Sequence, residues 1–309
     1  MPTALVTGIS RTAGIGWAVA QRLVGDGWAV TGTGWPAHDA AQPWGGEDDG
    51  DQAPGHPAPV PWEPADLSDP AVPARVVQRH VAVLGSLDAL VAVHARSSMQ
   101  DLTSVTADEL DASFAVNTRA TVLLVQAAAR VGVRRVVLFT TGVHQAPMPA
   151  EIPYVVSKAA LQGVTATLAA ALAPTGATVN CVNPGPNDTG YADEAVRALV
   201  ASQMPLAPRW GRPSDTAELV AWLVSDAAGW VTGQDEGALA RSDQDQELLG
   251  HGRPPFDDHI EGTRLRSIQD IRPAAPGVCT QYNKRAVSRS SGPATCGFHS
   301  GPRSRRHEI

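Results

Sequence analysis

Short apolar runs and amphipathic stretches alternate from residue 1 to residue 234, and this alternation most constrains the fold. Runs such as TALVTG (3–8) and LDALVAVHA (87–95) have the length and apolar content of buried strands. GWAVAQRLVGDG (16–27) carries apolar residues at helical spacing and ends in glycine. Because strands that alternate with helices form a parallel sheet covered on both faces, the sequence predicts one α/β domain with a doubly wound parallel sheet.

Two segments interrupt the alternation. Residues 36–61 are rich in Pro, Gly and Asp, which predicts a long irregular surface loop without a regular helix. At Gln234 the periodic pattern stops, and the chain ends in a run rich in Ser, Gly, Pro and Arg that is typical of disorder. The predicted organisation is a folded body over 1–234 and a largely disordered tail over 235–309.

Two helix starts carry capping residues. The stretch TADELDASFAVNTRATVLLVQAAARVG (106–132) predicts one long amphipathic helix capped by Thr106, with Glu109 completing a capping box. Ser214 is predicted to cap the last helix of the body, SDTAELVAWLVSD (214–226).

Charge and residue spacing exclude several classes of protein. A net charge of −7 leaves no basic surface for nucleic acid or for an anionic membrane. The opening MPTALVTG lacks the basic region of a signal peptide, and we expect no apolar segment near the ~18 residues of a membrane span. Three cysteines without CxxC spacing and nine scattered histidines predict no metal site, and Cys181 is expected to be a buried free thiol. The sequence predicts a cytoplasmic, reduced protein.

The glycine-rich stretch VTGISRTAGIGWAVA (6–20) lies between a predicted strand and a predicted helix. Glycines at Gly8, Gly14 and Gly16 would let backbone amides approach a pyrophosphate at the N-terminus of the helix. The alternative is a tight strand-to-helix turn that needs glycine only for positive φ. This stretch by itself leaves both interpretations open.

Lys158 is the only lysine before residue 284, and it follows Tyr154 by four residues in a predicted helix. At that spacing the two side chains share one face of the helix. A phenol with a pKa near ~10 needs a neighbouring cation to act as an acid or base at neutral pH, and a compact ammonium can also donate to ribose hydroxyls. The alternative is a solvated lysine beside a core tyrosine.

Several motifs in this order resemble the short-chain dehydrogenase/reductase family. They are TGISRTAGIG (7–16), ADL (65–67), FAVNTRA (114–120), YVVSK (154–158), NPGPNDTG (183–190) and the run from 209 to 234. The resemblance implies a Rossmann-like fold and an oxidoreductase that uses a nicotinamide dinucleotide.

The resemblance also implies roles for individual residues. Tyr154 would be the general acid/base, Lys158 the ribose anchor, Asn117 the holder of a proton-relay water, and Thr141 would stand where the family has its catalytic serine. The implied cofactor-binding residues, besides Tyr154 and Lys158, are Gly8, Ser10, Arg11, Gly14, Ile15, Gly16, Asp66, Leu67, His94, Ala95, Pro184, Gly185, Pro186 and Thr189. Without the family, Asn117 would be read as a solvent-facing helix residue, and Asp66 would be equally open to a role as an ordinary strand-end turn former and to a role in cofactor binding.

Three departures from the family pattern are expected to matter. The family's Asn-Asn-Ala-Gly stretch is VHAR (93–96) here, so both asparagines are lost. The 36–61 loop replaces most of a crossover helix, and the family's final strand is expected to be absent after VTGQ (231–234). The resemblance implies a homodimer or homotetramer, and the tetramer would depend on that missing strand.

The cofactor and substrate follow from the same comparison. The second strand ends TGTGW (31–35) without a carboxylate, and Arg11 could pair with a 2′-phosphate, so NADP(H) is favoured over NAD(H). The segment 187–210, with Tyr191, Val196, Leu199, Met204, Leu206 and Trp210, predicts a moderately apolar pocket for a small or medium carbonyl or alcohol. The alternative function is a non-catalytic or crippled dinucleotide-binding sensor or scaffold of the same fold.

Overall fold

The structure is a computed structural model that describes residues 1–42, 60–142, 147–192, 194–202 and 209–237. The chain divides into two compact units, Met1–Arg253 and Pro254–Ile309, and all described residues belong to the first. Most of the predicted 36–61 loop and nearly all of the predicted 235–309 tail therefore lie outside the described residues, as do Cys279 and Cys296. The boundary at Gln234 stays a prediction.

The described residues form one seven-stranded sheet in the order β3-β2-β1-β4-β5-β6-β7, with every neighbouring pair parallel. The predicted doubly wound parallel sheet is confirmed. The strands are β1 (Thr3–Thr7), β2 (Ala29–Gly34), β3 (Trp62–Pro64), β4 (Ala89–Ala92), β5 (Arg135–Phe139), β6 (Thr178–Asn183) and β7 (Asp235–Gly237).

Eight α-helices accompany the sheet in the described part of the chain. They are α1 (Ile15–Gly25), α2 (Pro36–Ala40), α3 (Val72–Leu84), α4 (Ala107–Ser113), α5 (Ala120–Arg130), α6 (Ile152–Leu172), α7 (Glu194–Ser202) and α8 (Pro213–Val224). Helices α3, α5 and α6 cover one face of the sheet, and α1 and α8 cover the other.

Alternating side chains of each strand supply the two halves of the core. Leu5 and Leu90 belong to the cluster under α3 and α5, whereas Val6 and Val91 belong to the cluster under α1 and α8. All four are at most 1% exposed. Because successive side chains of a strand point to opposite faces, a strand buried on both sides must be apolar throughout, and this explains the unbroken apolar runs of the sequence.

Two expectations about irregular segments are corrected. The region predicted to hold no regular helix begins with α2, since Pro36 occupies the first helical position, where a missing N–H costs nothing. The final strand expected to be absent is present as β7, which pairs with β6 from Cys181 to Asn183. Its first residue directly follows Gln234, so the segment that was predicted to be a disordered tail begins with a strand of the sheet.

The two predicted caps are right only in part. Thr106 does cap α4, because its hydroxyl accepts a hydrogen bond from the Glu109 N–H at 3.2 Å. The capping box is not completed, since the Glu109 carboxylate pairs with Arg96 instead. Ser214 is not a cap: α8 starts at Pro213, and its first turn is closed by the Asp215 carboxylate, which accepts from the Arg212 N–H at 2.7 Å.

Helix α6 is the longest described helix, and it carries both Tyr154 and Lys158. Contrary to the expectation of no membrane-length apolar segment, this helix is long and apolar enough to meet the criterion for a membrane span by length and composition. One face, with Lys158, Leu161, Thr165 and Ala169, is buried in the fold.

Candidate active site

The glycine loop is packed too tightly for side chains at all three of its predicted glycines, and a Cβ on Gly14 would lie 2.9 Å from the carbonyl oxygen of Arg11. Gly8 has φ +75°, and a Cβ there would lie 2.8 Å from the backbone nitrogen of His94. A Cβ on Gly16 would lie 2.3 Å from the carbonyl oxygen of Gly8. Glycine is therefore required to bring the start of α1 against the end of β1, which leaves the loop amides at the mouth of a cavity.

That cavity has a volume of about 850 Å³ and lies at the carboxyl ends of the strands, around the β1/β4 junction where the strand order reverses. Open α/β sheets bind ligands at this topological switch point. The predicted residues that line it are Gly8, Ser10, Arg11, Gly14, Ile15, Asp66, Leu67, His94, Ala95, Thr141, Tyr154, Lys158, Pro184, Gly185 and Thr189. Gly16, Asn117 and Pro186 do not line it.

Tyr154 and Lys158 meet in this cavity as their spacing predicts. The Lys158 ammonium nitrogen lies 5.9 Å from the centre of the Tyr154 ring. The same nitrogen donates a hydrogen bond to the carbonyl oxygen of Phe139 at 3.0 Å, and Lys158 is only 2% exposed. Lys158 is one of the largest fully buried side chains in the described fold. The interpretation of Lys158 as a solvated lysine is therefore wrong.

Burial shifts the pKa of both groups toward their neutral forms. Burial lowers the pKa of Lys158 to about 8 from the ordinary 10.5. Burial, and then the charges of Glu151 and Tyr191, raise the pKa of the Tyr154 phenol, while the neighbouring Thr141 hydroxyl acts in the opposite direction. Perturbed acids and bases that share a cavity are typical of a catalytic site.

Asn117 lies behind the cavity wall, fully buried, in a π-helical turn (Phe114–Arg119) between α4 and α5. Its amide pairs with the backbone of Arg96 in both directions, accepting from N–H at 2.6 Å and donating to the carbonyl at 3.0 Å. It also donates to the Ser157 hydroxyl at 2.8 Å, which in turn donates to the Tyr154 carbonyl. Asn117 thus joins the end of β4 to the first turn of α6; the solvent-facing alternative is wrong.

His94, which stands in the stretch where the family has its two asparagines, makes hydrogen bonds to β1 and to the π-helical turn. Its Nε2 lies 3.1 Å from the Val116 carbonyl, which can only accept, so Nε2 carries the proton. Nδ1 therefore accepts from the Thr7 hydroxyl at 2.7 Å. Burial lowers the pKa of His94 to about 3, which keeps the ring neutral. One imidazole thus ties β1 and β4 to the π-helical turn.

Arg96, at the position of the family's glycine, also lines the cavity. Its guanidinium makes a two-point ion pair with Glu109, at 2.8 and 2.7 Å. The pair is held further by the Ser113 hydroxyl at 3.3 Å. This bidentate geometry fixes α4 against the segment after β4.

The structure gives Arg11 a partner that sequence reasoning did not anticipate. Its guanidinium donates to the Thr189 carbonyl at 2.8 Å, which links the glycine loop to the segment after β6. Asp39, which sequence reasoning missed, lies on α2 and accepts a hydrogen bond from the Ser10 hydroxyl at 2.5 Å. Asp39 was missed because residues 36–61 were predicted to form an irregular loop, and the position of a side chain in such a loop cannot be inferred. Prediction of the short helix α2 would have indicated its position.

The far end of the cavity contains Thr141, Met148, Glu151, Tyr154 and Tyr191. Tyr191 stacks edge-on against buried Trp210 with ring centres 5.6 Å apart, so these two predicted pocket residues do come together. Glu151 was missed, although its place three residues before Tyr154 could have signalled it. The side chains of Val196 and Leu199, together with residues Met204 and Leu206, lie outside the described part of the chain.

A family profile described as "Enoyl-(Acyl carrier protein) reductase" matches residues 8–236. An uncharacterised oxidoreductase, YjdA of Bacillus subtilis (strain 168), is 32% identical over 247 residues, which is 77% of this chain and 96% of that protein. The chain belongs to the short-chain dehydrogenase/reductase family of oxidoreductases.

Two further proteins are similar to most of this chain. The cyclic-di-GMP-binding biofilm dispersal mediator protein of Escherichia coli (strain K12) is 33% identical, over 75% of this chain and 92% of its own length. The crystal structure of a short-chain dehydrogenase from Burkholderia cenocepacia J2315 in complex with NADP is 32% identical, with a TM-score of 0.65 over 76% of this chain and 95% of its own.

The cavity of this family member fits a nicotinamide dinucleotide. Its volume of about 850 Å³ is in the upper part of the range for small-molecule sites. Gly8 and Gly14, which have no room for a Cβ, line one end, where a pyrophosphate would meet backbone amides at the start of α1. Tyr154 and Lys158 stand at the other end, where a reacting carbon would be placed.

Proposed function

We propose that the protein transfers a hydride between a nicotinamide dinucleotide, NADP(H) in the first instance, and a small or medium carbonyl or alcohol substrate. The observation that carries this proposal is that Tyr154 shares a cavity with Thr141 and with the buried Lys158, whose ammonium nitrogen lies 5.9 Å from the centre of the Tyr154 ring. A non-catalytic binder has no need of this arrangement.

The bound dinucleotide would supply or take the hydride, and the chain's own residues would handle the proton and the geometry. Tyr154 would exchange a proton with the substrate oxygen. Lys158, held by the Phe139 carbonyl, would favour the phenolate by its charge and donate to the ribose. Thr141 would orient the substrate oxygen, and Asn117 would hold the start of α6 in position through Ser157.

The proposal is tested by Tyr154→Phe in the full-length chain. We expect turnover of a ketone panel to fall by at least ~100-fold, the usual contribution of a positioned acid/base, while the Kd for the dinucleotide stays within a factor of ~3. Tyr191→Phe, at the same end of the cavity, should keep at least ~10-fold more turnover than Tyr154→Phe. Equal losses in the two variants would contradict the role given to Tyr154.

Two observations bear on the choice of dinucleotide. The Burkholderia relative was solved with NADP, which supports NADP(H) for this chain. A specific feature favours NAD(H) as the second candidate: Asp39 and Ser10 meet beside Gly34, at the end of β2, where an adenosine ribose would lie. A carboxylate there accepts from ribose hydroxyls and repels a 2′-phosphate.

Fluorescence titration of NADPH and NADH against the wild type and Asp39→Asn separates the two candidates. If Asp39 selects NAD(H), the wild type binds NADH more tightly and the substitution shifts the ratio of the two Kd values toward NADPH by about tenfold. If the wild type prefers NADPH and Asp39→Asn leaves the ratio unchanged, NADP(H) stands. Asp108→Asn, an exposed change on α4 away from the cavity, controls for net charge.

A sensor or scaffold function is the alternative from another class. It is supported by the name of the Escherichia coli relative, which describes a protein that binds cyclic di-GMP. It predicts dinucleotide binding without oxidation of the cofactor by any carbonyl. Titration of cyclic di-GMP against the NADPH-saturated and the free protein tests whether such a ligand competes for this cavity. Turnover without competition would support the oxidoreductase, and competition without turnover the sensor.

Assembly and location complete the proposal. We propose a homodimer or homotetramer by family resemblance, and the presence of β7 at the edge of the sheet supports keeping the tetramer as a candidate. Sedimentation of the full-length chain measures this state. A cytoplasmic location is proposed on the family membership alone and is checked by fractionation of cells that express the chain.

A further inference from the structure

Glu151 is a carboxylate at the substrate end of the cavity that the reaction scheme above does not use. It immediately precedes α6, only one turn before Tyr154, and it lines the cavity together with Thr141, Tyr154 and Tyr191. It is partly buried, and its backbone is held by hydrogen bonds from its N–H to Met148 and from the Val155 N–H to its own carbonyl. The backbone that carries this cavity-lining side chain is therefore held in place.

Other carboxylates that line or border the cavity have protein partners. Glu109 is paired with Arg96, Asp39 with Ser10, and Asp66 accepts from the Ser68 N–H. The Glu151 carboxylate has no hydrogen bond and no ion pair within the part of the chain that the structure describes. A partly buried carboxylate without a partner is costly, and a ligand that brings a donor or a positive charge removes the cost.

The position of Glu151 also opposes the phenolate of Tyr154. Its negative charge raises the pKa of both Tyr154 and Tyr191, after the effect of burial. A substrate with a cationic group beside Glu151 would offset this charge and make proton exchange at Tyr154 easier. An anionic substrate would add a second negative charge to the same end of the cavity.

We propose that Glu151 forms a subsite for a positively charged group of the substrate, so that the preferred substrates are carbonyl compounds or alcohols that carry an amino group. This inference rests on the proposed function and narrows its substrate class. Glu151 selects among substrates; Tyr154, Lys158 and Thr141 act on any carbonyl that reaches them.

The test uses three acetophenones that differ only in the para substituent: aminomethyl, ethyl and carboxy. We expect kcat/KM of the wild type to be about tenfold higher for the aminomethyl than for the ethyl compound, and about tenfold lower again for the carboxy compound, as fits a partly screened charge pair. Glu151→Gln keeps the size of the side chain and should bring the three values to within about threefold. Asp108→Asn, which removes an exposed charge outside the cavity, should leave the order unchanged.

Calorimetric binding of the same three ketones to the cofactor-saturated protein separates the two levels of the proposal. A preference for the aminomethyl compound that Glu151→Gln abolishes supports the subsite, even if none of the ketones is reduced and the oxidoreductase proposal fails. Reduction of all three without a charge preference, or a preference that survives in a folded Glu151→Gln variant, overturns the subsite and leaves the oxidoreductase in place. Absence of binding of any of them also overturns it.

Discussion

Acid sensitivity of the fold should originate largely at His94. This imidazole is 8% exposed and donates to the Val116 carbonyl while accepting from Thr7, so protonation would put a charge in the core and end the hydrogen bond that Thr7 donates to Nδ1. Its pKa is about 3 in the folded chain and 6.5 without the fold. Because the folded pKa is the lower one, the stabilisation is present above pH 6.5 and is lost as the pH falls toward 3.

The expected size of the effect follows from these two values. At pH 5 the unfolded imidazole is almost fully protonated and the folded one is not, which costs about 2 kcal/mol of stability relative to pH 7. His94→Asn restores the residue type of the family's motif and cannot titrate in this range. The difference in unfolding free energy between wild type and variant should therefore change by about 2 kcal/mol between pH 7 and pH 5.

Urea denaturation of both proteins at pH 7, 6 and 5 measures this change. Any loss of packing in His94→Asn lowers the curve of the variant at every pH, so the pH dependence isolates the proton. His38 and His80, whose pKa values burial also lowers, are present in both proteins and cancel. Parallel stability curves for the two proteins would refute the assignment of a neutral, structural His94.

Two further substitutions have expected outcomes that the structure sets. Gly16→Ala places a methyl group 2.3 Å from a backbone oxygen that cannot move aside, so it should lower the unfolding free energy by about 2 kcal/mol and weaken dinucleotide binding. The control is Gly163→Ala, which is exposed in α6 with open space around it and should raise the unfolding free energy by about 0.5–1 kcal/mol. Equal effects of the two substitutions in urea denaturation would argue against the tight packing of the glycine loop. Lys158→Met should abolish turnover yet raise the unfolding free energy at pH 7 by roughly 1–3 kcal/mol, because it removes a buried ammonium whose pKa is held near 8. A variant that is less stable than the wild type would show that the buried ammonium does not destabilise the fold.

The sequence by itself determined the features that depend on neighbours along the chain. Apolar runs that are buried on both faces, helical periodicity and glycine turns fixed the parallel sheet, because strand and helix formation follow from local sterics and from the side on which apolar residues fall. The spacing of Tyr154 and Lys158 placed both on one helix face for the same reason, and their meeting in the cavity is the direct result.

Only the tertiary structure decided which distant groups meet. Asp39 reaches Ser10, Arg11 reaches Thr189, and His94 bonds to Thr7 and Val116, none of which has a sequence spacing that predicts it. The strand β7 was missed because a three-residue strand has no periodicity, and its pairing depends on the exposed edge of β6. The local sequence pattern predicts each helix and strand separately. Which side chains from different elements meet depends on how those elements pack against one another, and the local pattern does not contain that information.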